Sequence, residues 1–179
     1  MFRSSSIRSL KQCTKSKRKV SNTTNWIELR DLVHKTAVEH GWHDEPRSFS
    51  ELICLFHCEL SEAVEELRKG EGHEYYHAGD GKPEGYYVEL TDCIIRILDY
   101  FGENGIEPEE EDDEIIALLP KDRLGAIAGI HASISLDFLN TALLELAHLL
   151  EREGQDVEKL IREKDEYNSH RQYKHGKKF

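Results

Sequence analysis

Apolar residues return along this chain at steps of three and four. Trp26, Leu29, Leu32, Val33 and Ala37 follow that rule as far as Gly41, so the spacing predicts a first helix with Gly41 at its C-cap. Pro46 interrupts the pattern, and Ser48 or Ser50 is placed to cap a second helix that runs to about Lys69, with Gly70 after it. The Gly-rich stretch 70–83 reads as a loop. A third helix is predicted from near Glu84, just after Pro83, to near Gly102. Eight acidic residues among the twelve of 103–114 mark a solvated connection. The apolar period then resumes from Leu124 to Leu150, as one helix or two, and a last amphipathic helix covers about Asp156 to Tyr167. No run alternates with a period of two, so the expected class is all-α, a bundle of about five to six helices.

Taking about 100° per residue, Leu52, Phe56, Leu60, Ala63, Val64 and Leu67 share one arc of the second helix. Glu59, Glu66 and Glu62 lie along one border of that arc, and Glu65 points away. On the third helix the apolar arc is Tyr86, Leu90, Cys93, Ile94, Ile97, Leu98 and Phe101, with Glu89 on its border and Asp92 beside it. Packing these two helices by their apolar faces brings Glu59, Glu62, Glu89 and Asp92 towards one another. Carboxylates crowded at a half-buried seam repel and take up protons. A divalent cation relieves the conflict, and oxygen-only ligands suit Mg2+ or Mn2+. Glu also populates helix surfaces because it is soluble and a good helix former, and Arg96 follows Asp92 at a spacing that allows a simple i,i+4 pair.

Charge divides the chain. Residues 1–23 hold seven Lys/Arg and no acid, and they read as a disordered basic extension. An organellar transit peptide is the rival reading, because such segments are Arg- and Ser-rich. From Thr24 onward 17 basic residues face 35 acidic ones, a net charge of −18 that repels nucleic-acid backbones over any long contact. Residues 24–179 form one expected domain with a basic C-terminal tail. No apolar run is long enough for a membrane span. Cys13, Cys54, Cys58 and Cys93 lack the spacing of a disulfide framework, so a reducing compartment is the simpler reading and a cytoplasmic protein is expected, with Cys54, Cys58 and Cys93 as buried or half-buried free thiols.

Three separated stretches carry a family likeness: GWHDEPRSFSELICLFHCELSEAVEELRKG, KPEGYYVELTDCIIRILDYFGENGI and EKDEYNSHRQYKHGKKF. Over roughly residues 26–178 the chain resembles the MazG-like, all-α nucleotide pyrophosphohydrolases, in particular the stand-alone phage and bacterial members. The family's E-x-x-E falls on Glu59 and Glu62, and its E-x-x-D on Glu89 and Asp92. The resemblance implies that these four residues bind Mg2+ and that a nucleoside triphosphate is cleaved to monophosphate and pyrophosphate. It implies attack of a metal-activated water on the α-phosphorus, with Glu62 the expected residue to orient or deprotonate that water. Lys164 and Asn168, four apart on one helix face, are expected to meet a phosphate and the nucleotide, with Arg171 adding positive charge. A homodimer or larger homo-oligomer with the site near the interface is expected as well.

The second half faintly echoes the first, with LFHCELSE beside GIHASISL and ELTD beside LNTA. In that alignment Ser133, Leu136, Leu139 and Ala142 replace the four carboxylates, so this half would pack rather than bind metal. His57 with Cys54, Cys58 and Cys93 does not make a convincing zinc set, and His73 and His77 in a Gly-rich loop are a weak metal signal. Trp42, Tyr75 and Tyr76 could stack on a base or simply pack. The competing function is a non-catalytic helical nucleotide-binding or oligomerising module. A more distant one is an adaptor whose basic arm recruits nucleic acid.

Overall fold

Side-chain caps open most of the helices. In the computed structural model, which describes residues 24–70, 75–76, 81–109 and 118–173, Asn25 accepts from the backbone of Glu28 and starts α1 (Trp26–Glu39). Ser48 and Glu51 form a reciprocal capping box at the head of α2 (Phe49–Lys69), which selects Ser48 over Ser50. Gly70, in the left-handed region at φ 68°, closes that helix. Tyr75–Tyr76 (β1) and Pro83–Glu84 (β2) then pair antiparallel, so part of the predicted loop is a short ribbon. That pairing delays α3 (Tyr86–Asn104) by two residues relative to the expected start. Asp122 caps α4 (Arg123–Ser135), α5 spans Leu139–Arg152, and Asp156 caps α6 (Val157–Ser169). The apolar region 124–150 is thus two helices. The basic extension 1–23, His73, His77 and most of the acidic connection lie outside the described residues.

The all-α expectation holds: six helices and one two-stranded ribbon make up the described residues. α3 is the central helix, packed against α1, α2, α5 and α6. Its whole predicted apolar arc is buried, as are Leu52, Phe56, Leu60 and Ala63 of α2. Each fully buried Leu or Ile contributes about 1.5–3 kcal/mol, and this apolar seam fixes how α2 and α3 meet. Cys93 sits in it with its Sγ 3.6 Å from the Phe56 carbonyl oxygen. Cys54 and Cys58 are exposed, contrary to the expectation for them, because they point away from α3. α1 crosses α3 at Gly102, where a Cβ would come within 2.5 Å of the His34 side chain. Among the described residues no helix is long and apolar enough to cross a membrane.

Helices that the sequence echo equates lie against each other, α2 on α4 and α3 on α5. His57 and His131, the matched residues of that echo, stack with ring centroids 4.9 Å apart and their Nδ1 atoms at 2.7 Å. Contact of like with like is what an approximate two-fold arrangement of two hairpins requires.

Candidate metal centre

α2 and α3 deliver the predicted carboxylates to one place. Oxygens of Glu59, Glu89 and Asp92 lie within 4.8 Å of one another. Glu59 and Glu89 are each 6% exposed. Burial pushes the Glu89 carboxyl up to about 8, and the neighbouring charges of Asp92 and Glu59 push the same way. Burial also raises Glu59, against the pull of Arg96. Three carboxylates facing one another offer acceptors and no donors. A cation or a proton in the space between them would relieve their repulsion.

Glu62 lines the same cavity but is exposed and stands outside the convergence of the other three. It borders the site from the solvent side. Glu66, its neighbour on the helix border, is instead spent on structure: it accepts from Lys69 at 2.6 Å and from the Tyr75 hydroxyl at 3.2 Å.

Two cations hold the cluster together. The Arg96 Nε donates to Glu59 Oε1 at 2.5 Å. It thus reaches across to α2 rather than back along its own helix to Asp92, as the sequence spacing allowed. Lys164, 4% exposed, places its Nζ 2.8 Å from Asp92 Oδ2. This residue was expected at a phosphate; in the structure it neutralises a carboxylate of the cluster.

The cavity in front of the carboxylates measures about 250 Å3. Asn168 and Arg171 line it, together with Trp42, Val33 and Leu52. The Asn168 Oδ1 is buried there with no hydrogen-bond partner, so a donor from a bound molecule would satisfy it. Arg171 lies over the Tyr167 ring, its Cζ 5.9 Å from the centroid. Of the three candidate stacking aromatics, Trp42 faces this cavity. Tyr75 is committed to Glu66 and Glu84, and Tyr76 is exposed beside a smaller pocket.

A second cluster escaped the sequence reading. Asp99 Oδ1 meets His43 Nε2 at 2.7 Å and His34 Nδ1 at 2.9 Å, while Arg47 donates to Oδ2 at 3.1 Å. His43 Nδ1 lies 3.3 Å from Glu103. Two ligands on a tetrahedral zinc stand about 3.3 Å apart given the usual bond lengths, so these shorter separations describe hydrogen bonds. Burial by itself would raise Asp99, yet the hydrogen bonds from His43 and His34 hold its carboxyl below the usual range. The bond to Asp99 in turn raises His43, against burial. The signal was present in the chain, because Asp99 stands among Ile97, Leu98 and Phe101 and a carboxylate there needs partners. This network ties the 40–48 connection to α3 and sets Arg47 at the cavity wall.

Comparison with protein-family models, with curated proteins and with solved structures finds no match.

Proposed function

We propose that this chain is a Mg2+-dependent nucleotide pyrophosphohydrolase that cleaves a nucleoside triphosphate to monophosphate and pyrophosphate. One observation carries the reading: Glu59, Glu89 and Asp92 converge in a cavity that Asn168 and Arg171 also line. The same carboxylates carry the sequence resemblance to MazG-like enzymes from which this expectation came. The donor set fits a hard cation, being all carboxylate oxygen with one open side towards the cavity. Glu59, Glu89 and Asp92 would hold Mg2+ or Mn2+, with Glu62 at the outer edge. Such an ion supplies an acidified water and neutralises charge on phosphate oxygens.

The chain's own groups do the rest. Glu62, exposed at the cavity rim, accepts the proton of the attacking water. Arg171 meets phosphate oxygens, and the unpartnered Asn168 Oδ1 accepts from the nucleoside. Val33 and Leu52 supply an apolar stretch of the wall, and Trp42 a ring on which a base can stack. Self-association belongs to the same proposal. The outward side of α4 and the Leu136 that caps it present Leu124, Ala128, Ala132 and Leu136, all exposed and uncharged, as a face on which a second copy can pack. Light scattering on eluting protein then gives a mass of at least two chains.

A panel of ribo- and deoxynucleoside triphosphates, assayed for monophosphate and pyrophosphate with Mg2+ or Mn2+, tests the activity. Turnover that EDTA abolishes is expected. Folded wild-type protein inactive on every nucleotide with both metals refutes the reading.

A further inference from the structure

Glu59 is nearly inaccessible, and the hydrogen bond to its carboxylate comes from Arg96. A buried carboxylate left without a compensating charge is strongly disfavoured, so this guanidinium matters to the metal-free protein. Its position is dictated by α3. Glu89, Asp92 and Arg96 follow one another at helical steps of three and four, so Arg96 lies one turn beyond Asp92 on the same face. The backbone holds it beside the cluster, but its long side chain is half-buried and lines the cavity. It can turn away from Glu59 without any movement of the helix.

Resting on the metal reading above, we propose that Arg96 is a resident counter-ion, occupying Glu59 until a divalent cation takes its place and then facing the anionic substrate. Metal and guanidinium compete for one carboxylate. The apparent metal affinity is therefore the intrinsic affinity reduced by the cost of breaking the Arg96–Glu59 pair. Once the metal neutralises Glu59, the guanidinium is released into a cavity that Arg171 also lines. Its planar fork of donors suits phosphate oxygens. Metal and phosphate then bind with positive coupling: each makes the other's site available.

The test is Mn2+ binding to the full chain, read from the electron paramagnetic resonance of free Mn2+, without any turnover. Arg96→Gln should bind Mn2+ about fivefold or more tightly than wild type, since a competing charge has gone. Arg96→Lys should stay near wild type because it keeps the charge. Unchanged or weaker binding in a folded Arg96→Gln protein overturns the counter-ion role while leaving the metal site standing. Wild type that binds no Mn2+ overturns the metal reading and this inference together. Should Arg96→Gln not fold, wild type supplies the answer by NMR. The Arg96 Nε–H proton, at low field while bonded to Glu59, should move upfield on adding Mg2+, and a signal that stays put refutes the exchange.

Discussion

Lys164 Nζ lies 2.8 Å from Asp92 Oδ2, tying the last helix to the central one across 72 positions of sequence. The lysine is 4% exposed and also approaches the Pro83 carbonyl oxygen at 3.5 Å. Removing one partner of a buried pair typically costs about 3–5 kcal/mol because the other charge is stranded. Asp92 keeps some contact with solvent, so Lys164→Met should cost about 2–3 kcal/mol. Added Mg2+ should recover more stability in the variant than in wild type, since Asp92 then finds its charge in the metal. Thermal denaturation with and without Mg2+ checks both parts, and an identical Mg2+ effect in the two proteins would count against the shared site.

Glu89 makes metal binding a proton-linked event. Its carboxyl stands at about 8 in the folded chain against an ordinary 4.5, so at pH 7 it is mostly protonated. The folded state binds the extra proton, and metal-free stability therefore falls as pH rises from about 4.5 to about 8. A cation bound by Glu89 must displace that proton. Calorimetry at pH 7 in buffers of different ionisation enthalpy should show protons released as Mn2+ binds, and Glu89→Gln should show clearly less release than wild type.

The Asp99 network predicts the opposite slope at low pH. A lowered Asp99 adds stability above its ordinary 3.8, which is lost as pH falls through the folded value. A raised His43 adds stability that is complete below 6.5 and is lost as pH rises through its folded value. The contribution of this network is therefore greatest between about pH 4 and 6.5. Melting temperatures from pH 3 to 9 should show Asp99→Asn losing most stability in that window, converging on wild type at the acid end, and keeping a smaller loss at the alkaline end, where Arg47 still pairs with Asp99. A uniform loss at all pH values would contradict the assignment.

Gly102 is where α1 touches α3. The Gly102→Ala methyl would meet His34 at 2.5 Å, so the helices must separate, at a cost of about 1–3 kcal/mol. Combining it with His34→Gly should restore part of the loss, because both the Cβ and the ring that the methyl meets are then gone. Urea denaturation of the two single variants and the double settles this, and strictly additive losses would be the contrary result.

Periodicity made the helices and the border positions of Glu59, Glu89 and Asp92 readable, since a spacing of three or four fixes a direction on a helix. Direction alone does not say what stands opposite. Whether Arg96 reaches Asp92 or Glu59 depends on how α2 packs against α3, which steps along one helix do not contain. The same holds for Lys164, whose helix had to be docked before its carboxylate partner emerged. His34, His43, Arg47 and Asp99 come from three separate segments, so no local motif joins them. Cys54 and Cys58 differ from Cys93 in exposure because they face away from α3. The faint repeat was legible as an alignment, and the His57–His131 contact gives it a spatial meaning.

The central claim, a divalent cation held by three converging carboxylates, is tested most directly by crystals grown with Mn2+ and measured for anomalous scattering. A peak about 2.0–2.4 Å from oxygens of Glu59, Glu89 and Asp92 is the predicted result. A map with no peak there, or with its peak among His34, His43 and Asp99 instead, would contradict the account.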